Sequence, residues 1–249
     1  MVTYPGKGLH GQAVEEIGRR IIRGDHPPGS VLHPDQLEAE LGVSKTVVRE
    51  AMRVLASKGL IESRQKRGTT IRPRAHWNLL DSDLLRWQGS SAPTEGFLED
   101  LAEVRAIVEP AGARLAATRR TESDLAAMRR ALDAMAAAGS DADAMVEADL
   151  AFHRALLDAA HNELLSRMEV VIEAGLGIRD RIVHGAQHFS DSVPVHQELL
   201  SAIEAGDPDA AVAAVESLLT QASEDLAAVQ SRDQHDEDTT TAAVQEESP

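Results

Sequence analysis

The chain has 249 residues, and its 25 Lys and Arg against 41 Asp and Glu give a formal net charge of −16 at pH 7. The sequence contains no cysteine, which excludes disulfide bonds and thiolate metal sites and is typical of a reducing compartment. No apolar run approaches the roughly 18 residues that a membrane span needs, and the first residues lack the apolar core of a signal peptide. The composition therefore predicts a cytoplasmic protein that does not contact a membrane.

The charge is divided unevenly along the chain. Residues 1–75 contain 13 Lys and Arg and 8 Asp and Glu, a net charge of +5, which leaves −21 for residues 76–249. A basic segment on an acidic chain indicates that nucleic acid binds to that segment alone, while the acidic remainder repels DNA. We therefore expect a DNA-binding domain over residues 1–75.

This first segment has the pattern of a winged helix-turn-helix. Gly24 and Gly42 act as breakers after two stretches with helical spacing of apolar residues. Ser44 is a good N-cap for a third helix, because its hydroxyl can accept a bond from a free N–H group of the first turn. A basic tip with a glycine separates two short strands. The predicted elements are helices over 9–22, 33–41 and 44–55 and a two-stranded wing over 60–63 and 69–72.

The third predicted helix carries a basic stripe. Lys45, Arg49 and Arg53 repeat every four residues, apart from the apolar positions of the same helix. Cations at this spacing repel one another, so the stripe needs an anionic partner. DNA phosphates and the acceptor edge of guanine both meet that need. Arg53 lies farther along the helix and is either a phosphate contact or a surface charge.

These residues resemble the GntR family of bacterial transcription regulators. The matching motifs are Gly42-Val43-Ser44, Val48-Arg49-Glu50-Ala51, Lys58-Gly59-Leu60-Ile61 and Gly68. The resemblance implies a third helix in the DNA major groove and a wing tip in the minor groove. The implied DNA contacts are Ser44, Lys45, Thr46, Arg49, Arg53, Gln65, Lys66, Arg67 and Gly68. Because one such domain reads only a short half-site, we expect a homodimer on a palindromic operator.

Lys45 departs from the family pattern, since most members carry arginine at this position. A lysine cannot make the bidentate fork to guanine as well as an arginine does. Base reading at this position is therefore expected to be poorer than with the arginine of most members.

Residues 76–96 form a predicted linker that contains both tryptophans of the chain, Trp77 and Trp87. The run between them resembles the linker of GntR regulators that govern sugar-acid catabolism. The physical role that we expect for the two indole rings is to dock the linker onto the flanking domains.

From residue 97 to residue 231 the apolar pattern is helical throughout, and strand alternation is absent from the sequence. Thr121 and Gly206 are suitable start and stop residues. The pattern predicts an antiparallel all-α bundle with helices over 97–118, 121–138, 141–160, 162–188, 192–205 and 208–230. Residues 232–249 are rich in Asp, Glu, Gln and Thr with hardly any core residue, so we expect a disordered acidic tail.

Polar side chains interrupt the apolar stripes of this bundle. Arg105 lies within the stripe of the first helix, Asp149 and His153 share a face at i, i+4, and His196 shares a face with leucines. Burying these groups is unfavourable unless they are paired, hydrogen-bonded or bound to a cation. Asp and His at i, i+4 can bind one ion, and another helix can supply a second imidazole.

The same residues resemble the FCD domain, the ligand-binding domain of the FadR branch of GntR regulators. The matching motifs are Glu103-Val104-Arg105 with Glu109, Asp149-Leu150-Ala151-Phe152-His153, Asn162 and His196. The resemblance implies a divalent metal, zinc or a similar ion, on Asp149, His153 and His196. It also implies Arg105 and Asn162 as contacts for an anionic effector.

Leu218 stands where many members of the family have the last histidine ligand. The ion therefore keeps open positions for water and effector, binds weakly, or is absent. His184 and His188, also at i, i+4, either line the cavity or are solvated.

The sequence thus predicts a bacterial DNA-binding regulator, a repressor, that is controlled by a small organic acid. A sugar acid such as galactonate or gluconate is favoured, because the guanidinium of Arg105 matches a carboxylate and an open metal position can chelate a carboxylate with its 2-hydroxyl. Two alternatives stay open. One is a regulator that senses the metal itself, and the other is an enzyme that uses the metal on sugar acids, although the sequence offers no accompanying general base or nucleophile.

Overall fold

The computed structural model describes residues 8–64, 68–90, 95–185 and 192–246, with side chains over 8–64, 68–90, 96–177 and 192–228. The chain divides into two compact units, Met1–Glu95 and Gly96–Pro249. Within the described ranges, no helix is both long enough and apolar enough to cross a membrane.

The first unit is a winged helix-turn-helix, as predicted. Its elements are α1 (Leu9–Arg23), β1 (Val31–Leu32), α2 (Pro34–Leu41), α3 (Lys45–Ser57), β2 (Ile61–Arg64), β3 (Gly68–Ile71), a turn of 3-10 helix (Arg74–His76) and α4 (Ser82–Ser90). Ser44 caps α3 as expected, since its hydroxyl accepts a hydrogen bond from the backbone N of Val47 at 3.4 Å. Gly42 ends α2 at φ 64°, a left-handed conformation that costs a glycine little.

The wing contains one strand more than the sequence predicted. β2 and β3 pair antiparallel with Ile61 opposite Ile71, and β1 pairs with the other edge of β3, where Val31 lies opposite Thr70. β1 has only two residues, which is too short for an alternation of apolar and polar side chains to reveal it.

Most of the predicted linker folds onto the first unit. Trp87 of α4 is fully buried against α1, and a β-carbon on Gly18 would lie 2.4 Å from its indole ring. Lys58, the C-cap of α3, donates to both carboxylate oxygens of Asp81 at 2.8 and 2.9 Å, and its Nζ lies 2.7 Å from Oδ2 of Asp83. Trp87 thus packs α4 against the first unit, and this compact unit extends to Glu95, beyond the boundary expected at residue 75. Docking of the linker onto both flanking domains stays a prediction.

The second unit is all helical, as predicted. Its elements are α5 (Glu95–Arg119), α6 (Glu122–Ala138), α7 (Ala142–Ala159), α8 (Glu163–Ser166), α9 (Glu169–Gly185), α10 (Val193–Ala205) and α11 (Pro208–Glu246). Helices α5, α6, α7, α10 and α11 form the main core, which includes Met128, Met135 and Phe152. Thr121 and Asp124 form a capping box, which starts α6 where the sequence predicted.

Two regions of the second unit differ from the predicted helices. The single helix expected over 162–188 is divided into α8 and α9, because Asn162 caps a short turn and both Leu165 and Met168 then pack against one apolar cluster. Helix α11 continues to Glu246, into the segment for which the composition predicts disorder. Disorder of residues 232–249 in solution therefore stays a prediction.

Candidate functional site

The outer face of α3 carries the predicted DNA contacts of the first unit. Val48, Ala51 and Leu55 of the same helix are fully buried, which fixes the opposite face toward solvent. The predicted contacts on this exposed face are Lys45, Thr46, Arg49 and Arg53, preceded by the exposed N-cap Ser44. The geometry thus presents the basic stripe to any partner that approaches α3.

Two cations of the stripe are paired within the protein. Nζ of Lys45 forms an ion pair with Oδ1 of Asp35 on α2. Arg53 pairs with Glu50, one turn earlier on α3. The Arg53–Glu50 pair is an i, i+3 pair on an exposed face, where such a pair contributes little, so both readings of Arg53 stay open.

The wing tip is described in part. Gly68 is exposed at φ 81° and lies opposite Arg64 in the sheet register. A glycine suits this position because a β-carbon is strained at positive φ. The other predicted contacts of the wing, Gln65, Lys66 and Arg67, lie outside the described residues.

The three predicted metal ligands meet inside the second unit. Asp149 and His153 lie on α7 and His196 lies on α10, and all three side chains are buried. Oδ1 of Asp149 lies 2.9 Å from Nε2 of His196 and 3.7 Å from Nε2 of His153. One ligand atom from each residue lies within 4.8 Å of the other two. The helical spacing on α7 brings the first pair together, and packing of α10 adds the third.

The second ring nitrogen of each histidine faces an acceptor. Nδ1 of His196 lies 2.8 Å from the carbonyl oxygen of Ser192, and Nδ1 of His153 lies 2.8 Å from Oε2 of Glu109 on α5. The hydrogen bond to the Ser192 carbonyl favours a proton on Nδ1 of His196 and leaves the lone pair of its Nε2 for a metal. Nδ1 of His153 and Oε2 of Glu109 lie close together but form no hydrogen bond, so Glu109 acts on His153 through its charge. Glu109 is part of the motif that resembles the FCD domain, but the sequence did not indicate that it faces His153. This contact depends on the packing of α5 against α7.

This donor set fits a divalent ion. Nε2 of His196 is buried and forms no hydrogen bond, although it lies 2.9 Å from Oδ1 of Asp149. Zinc bonds of about 2.0–2.2 Å in a tetrahedron separate the ligand atoms by roughly 3.3 Å, which lies between the two distances found here. The chamber beside the three residues measures about 10 Å³, about the space of one ion or water.

The charges of the cluster stabilise one another. Burial would raise the pKa of Glu109, but the charges of Arg105 and His153 lower it to about 2. Burial also acts to raise the pKa of Asp149, and the adjacent His196 together with His153 and Arg105 lowers it. Burial would lower the pKa of His153, and the carboxylate of Glu109 raises it. Both carboxylates are therefore ionised at neutral pH, which is the form that binds a cation.

Arg105 lies between this chamber and a larger pocket. Its Nε donates to Oε1 of Glu109 at 2.6 Å, so one part of the guanidinium serves the buried cluster. The same side chain lines a pocket of about 470 Å³ between α5, α9 and α11. Further residues that line this pocket include Leu98, Leu101, Gly175, Leu219, Thr220 and Ser223.

The remaining predicted site residues fall at different places. Leu218 lines the chamber, and so does Gln221 one turn later on α11, a residue that no sequence pattern indicated. Asn162 caps α8, since its Oδ1 accepts hydrogen bonds from the backbone N of Leu164 and of Leu165 at 3.1 and 3.3 Å. It does not line the chamber or the larger pocket beside Arg105. The side chains of His184 and His188 lie outside the described residues.

Comparisons with known proteins cover both units. The model of bacterial regulatory proteins of the gntR family matches residues 9–71, and the FCD domain model matches residues 100–221. The chain is 35% identical over 213 residues to the galactonate operon transcriptional repressor of Escherichia coli (strain K12), across 84% of this chain and 93% of that protein. It is 33% identical over 207 residues to the transcriptional regulator LutR of Bacillus subtilis (strain 168), across 80% of this chain and 93% of that protein.

The chain belongs to the GntR family. The solved structure of Lar from Listeria monocytogenes has the same fold, with a TM-score of 0.62 at 17% identity over 88% of this chain and 97% of that one. As a GntR protein with an FCD domain, the chain is a DNA-binding transcription regulator that responds to a small molecule. The sequence-based prediction of a regulator is confirmed, and its membership of this family excludes the enzyme alternative.

Proposed function

We propose that this GntR protein is a repressor that releases a palindromic operator when its FCD domain binds a sugar acid, with galactonate and gluconate as the first candidates. The observation that carries the proposal is the position of Arg105, between a chamber of ion size and a pocket of about 470 Å³. The relative that represses a galactonate operon supports the choice of ligand class.

On DNA, α3 lies in the major groove with Lys45, Thr46 and Arg49 toward the base edges, and the wing tip over residues 65–68 reaches the minor groove. This placement agrees with the exposure of the basic stripe on α3. Two copies of the domain are needed, because one recognition helix contacts too few base pairs for a specific site. The protein therefore acts as a homodimer in the bacterial cytoplasm.

In the FCD domain, Asp149, His153 and His196 hold a divalent metal such as zinc. When bound, the metal supplies a Lewis acid with open coordination positions. The carbonyl of Ser192 orients the ring of His196 through a hydrogen bond at 2.8 Å. The charge of Glu109, 2.8 Å from Nδ1 of His153, attracts the ring of His153. Leu218 lines the chamber and offers no ligand atom, so the protein provides three ligands.

The effector occupies the larger pocket with its carboxylate at Arg105. Glu109 accepts the Nε–H group of this arginine, and the remaining guanidinium N–H groups are donors for an anion. The pocket volume of about 470 Å³ is within the usual range for small-molecule sites. Hydroxyl groups of a sugar acid match Thr220 and Ser223, and also Glu103 and Glu224, which line the same pocket with several leucines. The two carboxylates repel an anion, so the carboxylate of the ligand fits only beside Arg105.

Release of DNA by defined ligands tests the proposal. Duplexes selected from a random pool by the full-length protein serve as the operator, and fluorescence anisotropy follows release by galactonate, gluconate, lactate and neutral galactose, with and without a chelator. We expect the sugar acids to release DNA and galactose to have no effect. Equal release by galactose or by a long-chain fatty acid would overturn the ligand class.

The role of Arg105 is tested in the same assay. Arg105→Lys keeps the positive charge beside Glu109 and loses the fork for a carboxylate, so we expect at least a tenfold higher concentration of sugar acid for half release. The matched control is Arg114→Lys, an exposed residue of the same helix that pairs with Asp209, and it should leave the response unchanged.

A metal-responsive regulator is the second candidate, because the chamber beside the three ligands has room for an ion and little else. Zinc alone would then release the operator in the absence of any acid. The sugar-acid proposal requires that zinc without acid leaves the complex intact.

A further inference from the structure

Helix α2 presents two carboxylates to the first residue of α3. Oδ1 of Asp35 forms an ion pair with Nζ of Lys45. Oε1 of Glu38 accepts a hydrogen bond from the backbone N of Lys45 at 3.2 Å. Both the backbone and the end of the lysine side chain are therefore held by α2.

The position of Asp35 is unfavourable for affinity to DNA in general. Its side chain is 77% exposed, beside the basic stripe proposed to enter the major groove. The contacts with Lys45 and the nearby charge of Arg49 lower the pKa of this carboxyl group, which keeps it ionised. A carboxylate at such a place repels the phosphates that supply most non-specific affinity. Such a carboxylate can instead contribute to discrimination between DNA sequences, because it lowers the affinity for the wrong ones.

A lysine needs such a partner more than an arginine would. An ammonium group is a compact point charge on a flexible stem, and it has no planar fork that matches guanine. Without a partner, Lys45 would bind any phosphate within its reach. The ion pair with Asp35 directs the lysine side chain toward α2 in the free protein, which reduces its rotamer freedom before DNA arrives.

The pair also carries the complementary groups of one base pair. In the major groove guanine offers the acceptors O6 and N7, and cytosine offers the N4 amino group. The ammonium of a lysine donates to O6 or N7 of guanine, and the carboxylate of an aspartate accepts from the N4 amino group of cytosine. Lys45 and Asp35 together thus match both halves of a G·C pair.

We propose that Asp35 is a specificity-determining residue: it keeps Lys45 away from the phosphates and, with Lys45, selects a G·C pair in each half-site. The inference rests on the proposed docking of α3 in the major groove.

The test compares binding of a selected operator duplex and a scrambled duplex by fluorescence anisotropy at two salt concentrations. For Asp35→Asn, which removes the charge and keeps the shape, we expect tighter binding to scrambled DNA and at least a tenfold loss in the ratio of the two affinities. Selection of duplexes by this variant should lose the preference at one G·C position per half-site. Asp25→Asn is the matched control, because Asp25 is also exposed and pairs with Arg23 at 2.9 Å.

A double variant separates cooperation from simple repulsion. In a Lys45→Ala background, Asp35→Asn should reduce the affinity ratio at least threefold less than it does in the wild-type background. An unchanged ratio in Asp35→Asn alone, or an equal loss with and without Lys45, would overturn the proposed pair. Arg49→Ala tests separately whether α3 docks in the major groove. If Arg49→Ala leaves operator binding unchanged, the proposed placement of α3 is wrong. If Arg49→Ala abolishes operator binding but Asp35→Asn has no effect, only the role of Asp35 is refuted.

Discussion

Oε2 of Glu109 lies 2.8 Å from Nδ1 of His153, and both side chains are almost fully buried. The carboxylate therefore faces the back of a proposed metal ligand, while its other oxygen is bound by Arg105 at 2.6 Å. Glu109 thus connects the proposed effector contact with the proposed metal ligands.

Replacing Glu109 by glutamine should weaken metal binding. The variant keeps the shape of the side chain but removes the charge that orients His153, and loss of such a partner lowers metal affinity by about 10- to 100-fold. Competition for zinc against a chromogenic chelator measures the change. Glu99→Gln, an exposed change on the same helix, should leave the affinity as it is, and wild-type affinity in Glu109→Gln would contradict the orienting role.

A histidine at position 218 should tighten the metal site. Leu218 lines the chamber with Asp149, His153 and His196, so Leu218→His adds an imidazole where the protein has no ligand atom. We expect at least a tenfold gain in zinc affinity in the chelator competition, and a weaker response to sugar acid because an open position is filled. Leu219→His, the adjacent residue on α11, should give no gain. If both variants bind zinc equally, the chamber does not hold the ion.

Gly18→Ala should destabilise the first unit. The added β-carbon would lie 2.4 Å from atoms of the Trp87 ring, and overpacking of this kind costs about 1–3 kcal/mol. Urea unfolding followed by tryptophan fluorescence reports this unit, because both tryptophans lie in it. Gln12→Ala, an exposed change on the same helix, is the control, and equal midpoints for both variants would refute the close packing of α4.

Asp124→Asn should lower the stability of the second unit in a manner that depends on pH. Asp124 accepts a hydrogen bond from the backbone N of Thr121 at 2.7 Å in the capping box of α6, and loss of such a cap costs about 0.5–2 kcal/mol. Burial would raise the pKa of this carboxyl group, but the bonds to Thr121 and His161 lower it from 3.8.

Because the folded pKa of Asp124 is the lower one, its stabilisation is fully present above pH 3.8 and is lost as the pH falls through the folded value. The difference in unfolding free energy between wild type and Asp124→Asn should therefore shrink in acid. Asp133→Asn, an exposed change on the same helix, should show neither effect. A difference that stays constant down to pH 2 would show that the charge of Asp124 does not contribute.

Local chemistry explains the parts of the fold that could be predicted. Ser44, the capping box at Thr121 and the glycine breakers act within one turn of helix, so the sequence alone predicts where those helices begin or end. The same holds for Asp149 and His153, which the helical repeat places on one face. The prediction of a single helix over 162–188 was wrong because the apolar periodicity continues across the break between α8 and α9. The position of this break depends on the packing of Leu165 and Met168.

The sequence by itself determined that this protein joins a DNA-binding winged helix to a helical effector domain, since charge, periodicity and motifs are properties of neighbouring residues. Three contacts could be found only in the tertiary structure. Lys58 and Trp87 hold α4, Glu109 faces His153, and Asp35 pairs with Lys45. Each of these contacts joins residues of different helices. Their energy depends on distance and burial, which the order of residues along the chain does not contain.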